Sequence, residues 1–189
     1  VSLIAFSEHV WPVIMERTVP MPHWCLDVRL ASEFWERKGY HYTAPVSGIL
    51  ALHEALRQVC LETLEKRFER HLVCSNALQM AIEAMGLKLF VEPASRLNSV
   101  VGIYVPEGVD SKQLLANMSN LYKVEISGSF GLPIIRIGQM GEQSRAHNLY
   151  RTLHALGMSM RSCGASIDLP AGMAALESSL DQHGFVDQI

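Results

Sequence analysis

From Val46 to Met85 the chain carries one helical signal about forty residues long. Ile49, Leu52, Leu56, Val59 and Cys60 fall at helical spacing. Leu64, Phe68, Leu72, Leu78, Ile82 and Met85 continue it beyond the charged patch Glu62-Thr63-Leu64-Glu65-Lys66-Arg67. An ordinary globular helix runs to roughly 20 residues, so one unbroken rod is not expected. The reading is two helices, or one bent near residues 60–63, with a domain junction at the bend. Gly86 closes the run as a C-terminal cap.

After Gly86 the pattern changes from a helical period to alternation. Leu87-Lys88-Leu89-Phe90-Val91 alternates like a strand, and Val100 to Val105 is a β-branched and aromatic strand ending at Pro106. Asp110 or Ser111 caps a helix to about Tyr122. Lys123-Val124-Glu125-Ile126 alternates again, Gly128 to Pro133 is a turn, and Ile134 to Gly138 is a further strand. A helix follows from about Gln143 to Arg161. The order strand, strand, helix, strand, strand, helix predicts a small α+β domain with an antiparallel sheet. A last helix, Leu169 to Leu180, is expected on its surface.

Upstream of the long helical signal, Ser2 to Ser7 reads as a short buried strand. A loop-rich stretch with Pro12, Pro20 and Pro22 follows, and Trp24 to Val28 reads as extended. Ala31 to Arg37 is a short amphipathic helix closed by Gly39. Tyr40-His41-Tyr42-Thr43-Ala44-Pro45 is an aromatic and polar loop. Pro45 biases Ala44 away from helix, so the loop stays extended up to the next helix start.

Composition narrows the function classes. Of 189 residues, 49% are apolar and 19% charged, which excludes intrinsic disorder. Net charge is −3, which gives no support to nucleic-acid or polybasic membrane binding. No apolar run reaches the ~18 residues of a membrane helix, and the N-terminus lacks the basic region of a signal peptide. A start at Val1 rather than Met points to processing or to a fragment. Cys25, Cys60, Cys74 and Cys163 are scattered without a Cys-x-x-Cys, so they read as reduced thiols in a reducing compartment. The eight histidines form no metal-ligand motif, and no metal site is expected. No Gly-x-Ser-x-Gly, Gly-x-Gly-x-x-Gly or phosphate-binding loop motif is present.

Two segments carry more specific chemistry. Tyr40 to Pro45 offers hydroxyls just before a helix start, a combination that suits an anion such as phosphate. The same residues would also make a packed aromatic loop capped by Thr43. Arg136 sits in an otherwise apolar strand and needs an anionic partner. That partner is either Glu125 on the neighbouring strand or the carboxylate of a bound substrate.

Together, in this order, these segments resemble a known family. Ser2-Leu3-Ile4-Ala5-Phe6-Ser7, Leu26-Asp27-Val28 with Phe34-Trp35, Tyr40-His41-Tyr42-Thr43-Ala44-Pro45, Met85-Gly86-Leu87, Val105-Pro106-Glu107-Gly108-Val109-Asp110 and Ile135-Arg136-Ile137-Gly138-Gln139-Met140-Gly141 are similar to the C-terminal half of alanine–glyoxylate / serine–pyruvate aminotransferases. These are fold type I, class V enzymes that use pyridoxal 5′-phosphate (PLP). The resemblance spans about residues 1–160 and weakens after Gly164.

What the resemblance implies is concrete. The fold class is α/β: the end of a PLP-transferase large domain over residues 1–65, carrying a strand, the phosphate loop and a helix. A small C-terminal α+β domain over 66–189 follows, with an antiparallel sheet and helices on one face. Tyr40 and Thr43 match the loop that binds the cofactor phosphate of the other subunit in a homodimer. Arg136 matches the arginine that binds the substrate carboxylate, which favours the clamp over the ion pair with Glu125. The family's Schiff-base lysine lies shortly before the Ser-Leu-Ile strand, which places it upstream of Val1. Lys38, Lys66, Lys88, Lys112 and Lys123 do not occupy that context. The complete protein is thus expected to be a cytoplasmic, homodimeric transaminase acting on a small amino acid and a 2-oxo acid. This chain alone is expected to be inactive. The alternatives are a non-catalytic dimerisation or binding module, and one half of a split enzyme.

Overall fold

The protein is described from a computed structural model that covers residues 3–36 and 40–184. Its chain divides into two compact units, Val1–Leu61 and Glu62–Ile189. The expected strand start at Ser2, and Arg37 and Gly39 at the close of the short helix, lie outside the described residues.

The first unit holds α1 (Val10–Met15), a 3₁₀ turn (Trp24–Leu26), α2 (Val28–Glu36) and most of α3 (Val46–Glu62). Three expectations are corrected here. Leu3–Ser7 forms no strand and is exposed, with Leu3 at 78% and Ile4 at 75%. An apolar strand of this kind is held by neighbours on both edges, and the described residues provide none. Trp24–Leu26 is a 3₁₀ turn rather than an extended piece, because the His23 imidazole accepts from the Cys25 N–H and caps it. The Pro12 segment is helical. Among residues 3–61 as described, Ala31 alone is buried. Helix α3 has its apolar residues at helical spacing, yet none of them is fully buried; Leu52 and Val59 are half-buried and the rest exposed.

The second unit has a continuous core. The long helical signal breaks where the sequence predicts: α3 ends at Glu62, Thr63 takes φ 69° and ψ 155°, and α4 runs Leu64–Ala84. Gly86 at φ 84° lets the Leu87 N–H reach back to the Ile82 carbonyl, closing α4. Three strands follow: β1 (Val100–Tyr104), β2 (Ser127–Ser129) and β3 (Leu132–Gly138). They form an antiparallel sheet in the order β1-β3-β2. Helices α5 (Ser111–Tyr122), α6 (Ala146–Ser162) and α7 (Leu169–Asp181) complete the unit. Asp110 caps α5 by accepting the Lys112 N–H at 2.9 Å.

Strand alternation sorts the sheet into two faces. Val101, Ile103, Ile135 and Ile137 point into one core with Leu78, Ile82, Leu114, Met118 and Leu156. Each fully buried Leu or Ile stabilises the unit by about 1.5–3 kcal/mol relative to exposure. The fold expected from the sequence, an antiparallel sheet with helices on its core face, is the fold observed.

Four local expectations change. Leu87–Val91 meets β1 through a single bridge, Leu89 to Ile103, before Pro93 opens a 3₁₀ turn. The strand expected at Val124–Ile126 begins only at Ser127, because Lys123 is left-handed and the Val124 N–H is used to close α5 on Met118. Helix α6 starts at Ala146 rather than about Gln143, because Gly141–Gln143 forms a 3₁₀ turn. Helix α7 is core rather than surface: Leu169, Leu176 and Leu180 are buried. Its close approach to α4 depends on Gly172, where a Cβ would stand 2.2 Å from Met85 Cγ and 2.9 Å from the Ala81 carbonyl.

Candidate functional site

In the first unit, the Tyr40–Pro45 loop separates into residues that pack and residues that project. His41 is the packing residue. Its ring lies edge-on to Trp24 at 5.0 Å, 5.6 Å from Phe34 and 5.2 Å from Tyr42. Its Nε2–H donates to the Trp24 carbonyl at 3.2 Å. The anchored histidine leaves Tyr40 and Thr43 exposed, with the Tyr40 hydroxyl 2.5 Å from Thr43 Oγ1. The two hydroxyls are thus hydrogen-bonded to each other, with Thr43 three residues before α3 starts at Val46. Hydroxyls can rotate their hydrogens toward a shared acceptor, and a phosphate oxygen is such an acceptor.

Arg136 belongs to the second unit. Ile135 and Ile137 point into the core, so Arg136 stands on the opposite sheet face, half-buried. Its cross-strand neighbours are Gly102 on β1 and Ser127 on β2. Both are small, so the guanidinium is not walled in by its partners. Arg136 Nε donates to the Gly128 carbonyl at 3.0 Å, across the bulge between Gly128 and Ser129. Among the described residues neither terminal nitrogen has a hydrogen-bond partner. The ion pair with Glu125 does not form; Glu125 accepts instead from the Ser119 hydroxyl. An arginine with Nε occupied and both terminal nitrogens open presents a two-pronged end to a carboxylate.

A third cluster was not singled out in the sequence. Arg70 is 3% exposed and its Nη1 donates to the carbonyls of Gly141 (2.8 Å) and Ser144 (2.6 Å). Its Nε and Nη2 grip the two oxygens of Glu62, and Arg67 Nη1 reaches the same carboxylate at 2.8 Å. The Arg70 hydrogen bonds, then Arg67, hold the Glu62 carboxyl down to about 2. His71 completes the tie. Its Nδ1–H donates to the Arg67 carbonyl at 2.7 Å and its Nε2 accepts from the Gly141 N–H at 3.1 Å. Both bonds together require the neutral ring. Gln139, fully buried, donates to the Cys74 carbonyl, and burial pushes the Cys74 thiol up to about 11. These contacts fix the exit of β3, the strand that carries Arg136. The available signal was register: Arg70 falls on the same α4 stripe as Cys74, Ala77 and Ala81.

The comparisons with known proteins agree on one class of enzyme. No family model matches the chain. Alanine–glyoxylate aminotransferase of Oryctolagus cuniculus is 32% identical over 173 residues, 87% of this chain and 44% of that protein. (S)-Ureidoglycine–glyoxylate transaminase of Bacillus subtilis is 35% identical over 161 residues, 83% of this chain and 38% of its own length. The crystal structure of ureidoglycine-glyoxylate aminotransferase from Bacillus subtilis superposes with a TM-score of 0.88 at 31% identity, covering 93% of this chain and 46% of that one. The chain spans less than half the length of each of these relatives. No helix among the described residues is long and apolar enough to cross a membrane. In sequence and in fold, the chain is similar to the C-terminal half of an aminotransferase of the alanine–glyoxylate type.

Proposed function

We propose that this chain is the C-terminal half of a PLP-dependent aminotransferase that moves an amino group between a small amino acid and a 2-oxo acid such as glyoxylate or pyruvate. The observation that carries this reading is Arg136, held by Gly128 through Nε with both terminal nitrogens open. Amino-acid and 2-oxo-acid substrates share a carboxylate, and this arginine offers it two parallel donors. In this role Arg136 orients the substrate, and orientation lowers the barrier by holding the reacting bond in place.

Tyr40 and Thr43 fit the cofactor's phosphate, because two exposed hydroxyls lie side by side, hydrogen-bonded to each other and able to turn toward a shared acceptor. PLP, when bound, supplies an electron sink for chemistry at the substrate α-carbon. This chain contributes the phosphate hydroxyls and the carboxylate clamp. The lysine that would hold the cofactor covalently and move the α-proton is assigned to the other half of the enzyme. We assign residues 1–65 to the end of the large domain and 66–189 to the small domain. The exposed apolar faces of the first unit, where Ala31 alone is buried among the described residues, support that division. A homodimer in the cytoplasm, with Tyr40 and Thr43 serving the partner's cofactor, completes the proposal.

Two other readings make different predictions. A non-catalytic binding module gives no turnover with any complementing chain. A split enzyme gives turnover when a separately encoded lysine-bearing half is added. Borohydride treatment with PLP, then peptide mapping, tests the assignment of the lysine: the chain alone should form no stoichiometric adduct at any of its five lysines.

A further inference from the structure

The backbone breaks between α3 and α4 in a conformation that its residue does not favour. Thr63 has φ 69° and ψ 155°. Positive φ is an outlier for a β-branched residue, and this region of backbone space is essentially glycine's. Among the described residues the other non-glycine one with positive φ, Lys123, is an ordinary left-handed helix end at φ 56°, ψ 39°. The Thr63 hydroxyl makes no capping bond to α4, so side-chain capping does not account for the conformation.

Strain of this kind persists only where neighbouring contacts over-determine the backbone. Here the residue before it is held on both oxygens. Arg70 grips Glu62 with two nitrogens, Arg67 adds a third donor, and Arg70 is itself anchored to the carbonyls of Gly141 and Ser144. Glu62, Thr63 and α4 all lie in the second unit, so the strain and the grip that opposes it belong to one compact body.

We propose that Thr63 is a strained joint between α3 and α4, held in place by the arginine grip on Glu62 and free to relax when that grip is lost. The inference does not depend on the aminotransferase reading; it concerns conformational energy stored in the backbone just before α4.

The test uses the 189-residue chain and four variants: Thr63→Gly, Thr63→Ala, Glu62→Gln and the double variant Thr63→Gly/Glu62→Gln. Glycine accepts the observed φ and alanine does not. Urea unfolding should therefore show Thr63→Gly more stable than Thr63→Ala by roughly ten-fold in the unfolding equilibrium constant, despite glycine's entropy cost. Hydrogen exchange of the peptide spanning residues 61–68 reads the grip. Glu62→Gln should raise exchange there strongly with threonine at 63 and much less with glycine at 63. Equal stability of the Gly and Ala variants overturns the strain. Unchanged exchange in Glu62→Gln, or an equal rise in both backgrounds, overturns the coupling. If Glu62→Gln does not fold, the glycine–alanine comparison decides alone.

Discussion

Arg136 and Gly128 are joined by a hydrogen bond of 3.0 Å from a side-chain Nε to a main-chain carbonyl on the adjacent strand. The bond fixes the plane of the guanidinium without using a carboxylate. It leaves the charge unneutralised by any described residue, on a sheet face flanked by Gly102 and Ser127. Glu125, the acidic partner that the sequence offers on the neighbouring segment, is turned to Ser119.

Replacing Arg136 therefore separates binding from stability. Lysine keeps the charge and loses the fork. In the complete enzyme, Arg136→Lys should raise KM for amino donor and 2-oxo acceptor alike, leaving the cofactor's absorbance unchanged. The melting temperature of the chain should stay near that of the parent, since no ion pair is broken. A large drop in melting temperature with unaltered KM would make Arg136 a residue of the fold alone.

The Tyr40 and Thr43 hydroxyls make a companion prediction. Tyr40→Phe with Thr43→Val removes both donors and keeps nearly the same volume. Hydrogen bonds to a charged group contribute about 1.5–3 kcal/mol each, so PLP affinity of the complete dimer should fall by at least ten-fold. Equilibrium dialysis measures it, and unchanged retention would return the loop to a packing role around His41.

Glu62 gives a pH dependence with a definite sign. Its carboxyl lies at about 2, against 4.5 ordinarily, because Arg70 and Arg67 bond the ionised form. The folded state thus prefers the charged group, and stability from this residue is complete above about pH 4.5. It should be lost as pH falls from there toward 2. Glu62→Gln should lower stability at neutral pH and flatten the acid limb of a urea-midpoint titration across that window.

Gly172 tests the placement of α7. A methyl group there meets Met85 and the Ala81 carbonyl, and the carbonyl belongs to helix backbone that cannot move aside. Gly172→Ala should destabilise the second unit by about 1–3 kcal/mol, the range for overpacking a filled interior. Urea unfolding followed by far-ultraviolet dichroism reads it; a neutral result would mean that α7 sits further from α4.

Much of the second unit was legible because its signals are local. The 3.6-residue period of α4, Gly86 at its end, the Asp110 cap and the alternation in β1 and β3 each act within a few residues. The strand at Val124–Ile126 misled because real alternation there serves burial rather than pairing: Val124 is buried, but its N–H closes α5. Helix α7 misled because Gly172, a weak helix former, is present for close contact. Leu3–Ser7 reads as a strand by composition, yet a strand is completed by its neighbours. At the site, the Tyr40–Pro45 loop stood out by its hydroxyls before a helix start, the choice of Tyr40 and Thr43 within it came from the family resemblance, and the anchoring of His41 on Trp24 is visible only in the fold. The Glu62–Arg70 grip was hidden inside a patch of mixed charge that resembles a solvated face.

In the proposed function this chain supplies the phosphate hydroxyls and the carboxylate clamp of an aminotransferase and depends on another segment for its lysine. Complementation measures this most directly. The 189-residue chain is assayed for amino transfer to glyoxylate, alone and with a lysine-bearing large-domain half from an alanine–glyoxylate-type enzyme. The account predicts no turnover alone, turnover on mixing, and its loss with Arg136→Lys at low substrate. Turnover by the chain alone, or complemented activity indifferent to Arg136, would contradict it.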